Sequence, residues 1–501
     1  MQRFYGSPSG GYTLIYAVAM SLLLLFSSLA YLQWQVSAQY DARREIATTQ
    51  AYYVAQAAVI SIPLAYMRNR SPDDLATYAL YTFPDGTIPG MGSYRRPMVE
   101  AVQTFSSIPN ATLAGYAAAF KLSAVGIVTY NDFLNRTHEV RRKAQLMIKR
   151  QYFSNYFYLT DLETTRAGLH IYFWQYDTLK GRVHSNDQIA LIGGYFTRPV
   201  SSCYPAFLGA WSNATFLQGY HLSAPHIDFP YKASYLRAAA AAAGAWLPAT
   251  LNQTNYALYF HGTQADMWSW EAGTPSPYLT HAPTGMLTWT PSTDYPIFSE
   301  GDLWISGYIN GRVGIGSENT IKLMDNLTYE ECQSVPYYPD TTRFTNMTTL
   351  ISEAYELPPD PINGETGVIV ANTVANGRDN GAAYPQSDQA HRDIGIDAMI
   401  IALNSTFGIE QENIPGSPYL GPSPDERGMI YIRGAIAQHR RGVVHWYYND
   451  GTGYNKGYLY DERFKYVPPP FIMDASSAGM IQWAVDGWED FPRHPGDERN
   501  E

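Results

Sequence analysis

The sequence predicts an α+β, mainly β chain: one long N-terminal helix, then a parallel β-solenoid (a β-helix) interrupted by a small α/β excursion. Three observations predict this. No residue from Tyr12 to Tyr40 is charged, and the helical spacing of apolar residues continues to Met67. From about residue 153, short apolar strands alternate with Gly or Asn corners. Within the strand-rich half, one Ala-rich stretch, residues 232–247, reads as a helix ended by Pro248.

The helix comes first. Residues 14–32, LIYAVAMSLLLLFSSLAYL, supply about 20 apolar positions, enough to cross a bilayer. Gln33, Trp34 and Gln35 follow as an interfacial end with an aromatic anchor. A secretory signal peptide would have a shorter apolar run and a small-residue cleavage site after it, with the helical pattern broken there. A plain one-pass anchor and a leader cut ahead of the apolar run both fit. Beyond the run, Ala47, Ala51, Val54, Ala55, Ala58 and Ile62 recur at spacings of three and four, a small-residue stripe for close packing. Pro63 is expected to kink or end the helix.

Composition sets further bounds. The chain has 501 residues, 46% hydrophobic and only 16% charged, with 41 tyrosines. Aromatics and small polar residues stand in for charge, as in many extracellular β proteins. A net charge of −11 disfavours a general nucleic-acid binder. Asn-x-Ser/Thr triplets recur, Asn213-Ala214-Thr215 among them, and would be glycan acceptors only in an exported chain of a glycosylating host. The two cysteines, Cys203 and Cys332, do not fit a zinc site, which needs four ligands at short spacings, and no Cys-x-x-Cys occurs. Export would place them in an oxidising compartment. A disulfide between them is expected, pinning the end of one strand block to the next.

The junction Gly11-Tyr12-Thr13-Leu14-Ile15 resembles that of type IV pilins: a short leader, glycine, an aromatic residue, Thr-Leu-Ile, then the apolar run. The fifth residue after the cut, commonly Glu in that family, is Tyr16 here, which directs the resemblance to minor pilins. The stretch 50–57 resembles the alanine-rich segment after their membrane helix. The layout is similar to the large minor pilin of competence pili, in which a β-solenoid is inserted into the pilin head. The resemblance covers residues 10–70 and, loosely, 150–470. It implies processing between Gly11 and Tyr12 by a prepilin peptidase, a methylated N-terminus, storage in the inner membrane, and assembly with other pilins at the cell surface.

The domain order expected is a leader (1–11), the transmembrane pilin helix (12–67), a connection to the head (68–152), a first solenoid block (153–203), the insertion (204–298), the main solenoid (299–470) and an acidic tail (471–501) that receives no assignment. Residues 125–130 and 139–151 read as two strands separated by a turn at Asn131-Asp132. Within the insertion, 256–261 reads as a strand.

Several constellations invite chemistry. His184, Ser185 and Asp187 are sequence neighbours, yet neighbours on a strand point to opposite faces, so a solenoid corner is expected rather than a hydrolase triad. The glycines of 307–316 lie between strand patterns and read as corner glycines, not as a phosphate cradle. Asp379, Asp388 and Asp393, with Asn376, Asn380 and His391, offer oxygen ligands without a calcium-loop spacing. One basic neighbourhood stands out, Arg427 to Lys465, with Tyr447, Tyr448, Tyr454, Tyr458 and Tyr460 interleaved. Arg433, Arg440, Arg441 and Lys456 are its candidates for contact with DNA or surface glycans. No catalytic residue, metal ligand or cofactor is assigned. The function implied is that of a non-enzymatic minor pilin displaying a solenoid for contact with surfaces, DNA or partner pilins. The alternatives are a membrane-anchored β-helix enzyme acting on polysaccharide and an unprocessed adhesin.

Overall fold

The structure, a computed structural model, describes residues 10–69, 80–102, 119–165, 168–250, 254–278, 280–332, 344–356, 366–371, 393–409, 425–446, 452–465, 467–478 and 480–491. Most of the leader, Tyr447, Tyr448 and all of the Gly/Asn/Asp-rich loop except Asp393 lie outside them. Asp393 accepts a hydrogen bond from the Met429 amide at 2.7 Å.

A single helix, Gly10–Val59, opens the chain. At 1.5 Å per residue it is about 75 Å long. Its first half stands bare: Leu14 is 69% and Trp34 66% exposed. Length and composition suit a membrane crossing, and none of the apolar window is buried in the protein. The hydroxyl of Ser28 within it donates back to the Leu24 carbonyl at 2.7 Å, and Ser27 does the same to Leu23, so neither needs an external partner. Pro63 does not end the helix. One π turn, Ile60–Leu64, opens around it and α-helix resumes over Ala65–Arg68. The wider turn relieves the clash of the proline ring with the preceding turn.

The second half of the helix lies on a six-stranded antiparallel sheet. In order across the sheet, Leu80–Thr82, Gly92–Val102, Ala119–Asn131, Thr137–Arg150 and Trp483–Phe491 are neighbours, and Gly86–Ile88 pairs with Gly92–Val102. The hairpin around Asn131-Asp132 is as expected, with longer strands. Ala51, Val54, Ala58 and Val59 are fully buried against Phe120, Leu122, Val128 and Ile148. The small-residue stripe lets the backbones meet: a Cβ on Gly126 would stand 2.0 Å from the Ala51 carbonyl oxygen.

The fifth strand corrects the reading of 471–501 as a tail. Trp483–Phe491 pairs antiparallel with Thr137–Arg150 and closes the sheet. The Trp483 indole donates to the Met67 carbonyl at the helix end, 3.2 Å away, and its ring meets Phe120 edge-on. Everything between residues 150 and 483 is therefore inserted into the sheet. The outgoing and returning chains run side by side as a neck. Tyr152 bridges Asp474, the Ala475 amide donates to the Gln151 carbonyl at 2.8 Å, and buried Arg150 forks onto both Asp474 oxygens at 3.0 and 2.6 Å.

The inserted body is built of parallel strands. Three short stacks come first. Tyr172–Phe173, Ala190–Leu191 and Leu208–Gly209 pair in parallel about 18 residues apart. Thr178–Leu179, Tyr195–Phe196 and Thr215–Phe216 do likewise; Tyr158–Leu162, Val183–Ser185, Val200–Ser202 and Tyr220–Leu222 also pair in parallel, with a wider step between the first two. Two longer lines follow. One runs Trp246–Leu247, Asp294–Ser299, Arg312–Ser317, Met347–Tyr355, Ile394–Asn404, Asp425–Arg440. The other runs Thr254–Gly262, Leu303–Ile309, Ile321–Tyr329, Gly367–Val370, Thr406–Ile409. Strands covered on both faces read as continuous apolar runs, and every position of Ile394–Asn404 is buried.

The stretch 204–298 is thus not a decoration beside the strands. Its first part extends all three short stacks and its last part begins both long lines. Only the antiparallel strands Gln264–Glu271 and Gly285–Thr288 branch off. Its helix is shorter than expected, Ser234–Ala243, because Gly244 takes a left-handed φ of 70° and ends it before Trp246–Leu247 begins a strand. The glycines of 307–316 are also only partly corners. Gly311 turns the chain with φ 121°, but Gly314 and Gly316 lie within a strand, where a Cβ would strike the rings of Phe471 and Phe298.

Candidate functional site

The basic neighbourhood is mostly internal, which corrects its reading as a contact surface. Arg433 is 4% exposed and pairs with Asp397 at 3.2 Å. Arg440 bonds Glu356 through Nε at 2.6 Å. Arg441 is 3% exposed, donates to Glu163 at 2.8 Å, and lies 3.8 Å over the Phe173 ring. Lys456 reaches Asp177 at 3.2 Å. Each cation neutralises a carboxylate on another segment, as a buried or half-buried charge must.

The expected disulfide is not formed, and both cysteines are free thiols. They end different strands in different stacks. Cys203 follows Val200–Ser202, and its sulfur faces Asn186 Oδ1 at 3.5 Å and His184 Nε2 at 3.9 Å. Cys332 is buried behind Ile321–Tyr329, where Arg433 Nη1 donates to its sulfur at 2.7 Å.

A Cys-His-Asn grouping is the arrangement of a thiol hydrolase, and the hydrogen bonds decide against that chemistry. Asn186 Nδ2 donates to Asp161 at 2.8 Å and to the Ile227 carbonyl at 2.7 Å, which fixes its Oδ1 as an acceptor. His184 Nε2, 3.1 Å from that oxygen, must therefore carry the hydrogen, and Nδ1 accepts from Ser201 at 2.8 Å. The nitrogen nearest the sulfur cannot take its proton. Burial, then the charge of Asp161, pushes the Cys203 thiol up to about 11, away from thiolate. Ser185 and Asp187 serve the corner, where the Asp187 amide bonds Ser185 Oγ at 3.1 Å.

At the N-terminus, Gly11 and Tyr12 lie in the first turn of the long helix. The expected processing junction therefore falls at the bare end of the element that carries the apolar run.

A broad cleft lies elsewhere, at a seam. Asp425–Arg440 is long enough to serve two partners on one edge. Its first half pairs with Thr452–Tyr460 and its second half with Tyr158–Leu162. A cleft of about 940 Å³ opens where these two partners meet, between the turn 170–180 and residues 441–445 and 455–458. Its floor carries Tyr158, Phe173 and Tyr458, with Arg441 between the first two. Burial, then the neighbouring Tyr158 and the charge of Asp177, holds the Tyr458 hydroxyl protonated, and burial pushes that of Tyr158 up to about 12. Its rim carries Tyr172, Trp174 and Tyr176, exposed by 38%, 39% and 80%. The rim turn is fixed: Asp177 Oδ2 accepts the Trp174 amide at 2.8 Å, and Oδ1 receives Lys456. Of the sequence candidates, Arg441 and Lys456 meet here, whereas Arg433 and Arg440 are not among the lining residues. The sequence reading missed the aromatic run His170-Ile171-Tyr172-Phe173-Trp174-Gln175-Tyr176, whose density of rings was the available signal.

No family model matches the chain, and no curated protein matches it. Among solved structures it aligns with the competence-associated pilin ComZ from Thermus thermophilus, at 11% identity over 89% of this chain and 98% of that one, with a TM-score of 0.28, too low to establish a shared fold.

Proposed function

We propose that this chain is a non-enzymatic minor pilin of a type IV filament. One observation carries the reading: a single helix whose first half is bare and apolar while its second half packs on a small antiparallel sheet, with Gly11-Tyr12-Thr13-Leu14-Ile15 at its start. Before assembly the bare half holds the subunit in the inner membrane. After a prepilin peptidase cuts behind Gly11, the same surface packs among the helices of other pilins in the filament. The parallel stacks are read as coils of a β-solenoid, inserted through the neck and displayed at the cell surface. Tyr16, in place of the family's usual Glu, suits a subunit that starts or caps a filament.

The test is the mature N-terminus. Mass spectrometry of the native chain should find Tyr12 first, carrying one added methyl, and Gly11→Val should retain the leader. An intact Met1 in the native chain, or a start beyond Trp34, would overturn the reading.

A further inference from the structure

We propose that the seam cleft is a binding site for a neutral oligosaccharide. The inference is independent of the filament reading, since it uses only the 170–180 turn and the strands it faces.

Sugar rings present flat patches of C–H bonded to aromatic faces, edged by hydroxyls that need fixed donors and acceptors. The cleft supplies both. Trp174 and Tyr176 stand exposed on a turn that Asp177 fixes through the Trp174 amide. Asp177 is held in turn by Lys456 from the opposite wall. Large exposed aromatics are costly in water, and here they are pre-positioned rather than loose, which lowers the entropy lost on binding. Below them, Tyr458 keeps a neutral hydroxyl, able both to donate and to accept.

Charge selects the class of ligand. A single-stranded nucleic acid would also stack on aromatic rings, but it requires uncommitted cations along its backbone. Arg441 is committed to Glu163 and Lys456 to Asp177. Lys180 is the one further lysine or arginine among the lining residues, and it sits at the exposed rim. Beyond those two ion pairs only Lys180 adds charge to the lining, and the chain as a whole, at −11, does not favour a polyanion. A neutral chain of sugars matches rings plus balanced ion pairs.

The experiment is calorimetric titration of the full chain in a zwitterionic, sugar-free detergent. The probes are cellohexaose, maltohexaose and chitohexaose, with a polygalacturonate hexamer and a thymidine 20-mer as anionic competitors. One neutral hexasaccharide should saturate a single site. Its affinity should fall at least tenfold in Trp174→Ala and, separately, in Tyr176→Ala, a tip residue whose removal leaves the core untouched. Trp211→Ala, an exposed ring outside the cleft, should bind as the native chain does. The proposal is overturned if none of the neutral hexasaccharides binds, if both cleft variants bind unchanged, or if either anionic probe binds more tightly and displaces the sugar.

Discussion

His184 is held neutral by its surroundings, and this makes it the residue through which acid acts on the fold. It is 3% exposed, and burial lowers its pKa to about 4, with Arg182 and His226 adding repulsion and the bond to Asn186 partly opposing. Unfolded, the ring titrates near 6.5. Between those two values the unfolded chain binds the extra proton, so stability is full above about pH 6.5 and declines as the pH falls towards 4. The difference corresponds to roughly 3 kcal/mol. Denaturant titrations of the native chain and of His184→Gln across pH 4–7 should show that slope in the first and a much flatter one in the second. Equal slopes would mean that the proton goes elsewhere. That His184 sits just ahead of a corner could be read from its neighbours along the chain. Which of its nitrogens carries hydrogen could not, because Asn186 is oriented by Asp161 and Ile227, and these reach it only in the folded molecule.

Helix and sheet meet at Gly126, where backbone touches backbone. Gly126→Val would drive two methyl groups toward the Ala51 carbonyl and the Ala55 amide, and neither can yield without lifting the helix. Overpacking of this kind costs about 1–3 kcal/mol. Thermal unfolding in detergent should register the loss, and an unchanged midpoint would show that the helix can shift freely on the sheet. The helix and the hairpin after it were legible because their determinants are local: a charge-free run, a spacing of three and four, a polar turn between two apolar segments. The π turn at Pro63 was not, since proline states only that the ordinary α-helical hydrogen bond is lost, not how the helix absorbs it. The partner of Thr137–Arg150 was not legible either. Trp483–Phe491 lies in an acidic stretch that received no assignment from sequence, and nothing near it names a partner more than 300 residues earlier. The seam cleft was hidden for the same reason: its walls come from residues 170–180, 441–445 and 455–458. The basic residues misled because composition counts charges without showing that each has an acid opposite.

At the scale of the molecule, the neck joins two separately packed bodies, one around the helix and sheet and one around the parallel strands. Arg150, its side chain 2% exposed, answers to Asp474 across it. Asp474→Ala would leave that guanidinium buried beside a missing carboxylate, at a cost of about 3 kcal/mol or more. Limited proteolysis should then cut the variant first near residues 150 and 474, while the parallel-strand body stays resistant. Cleavage no faster than in the native chain would show that backbone pairing alone holds the neck. The insertion also fixes an order of events in time. The helix and the strands up to Arg150 are made early, but Trp483–Phe491, which pairs beside Thr137–Arg150, is made more than 300 residues later. At ~5–20 residues per second, some 330 residues take roughly tens of seconds. Through that interval the outer edge of Thr137–Arg150 lacks its partner, and an open strand edge is a template for wrong pairings. The sheet under the helix can close only when Trp483 returns to Met67, so its completion waits until the whole inserted body has been synthesised.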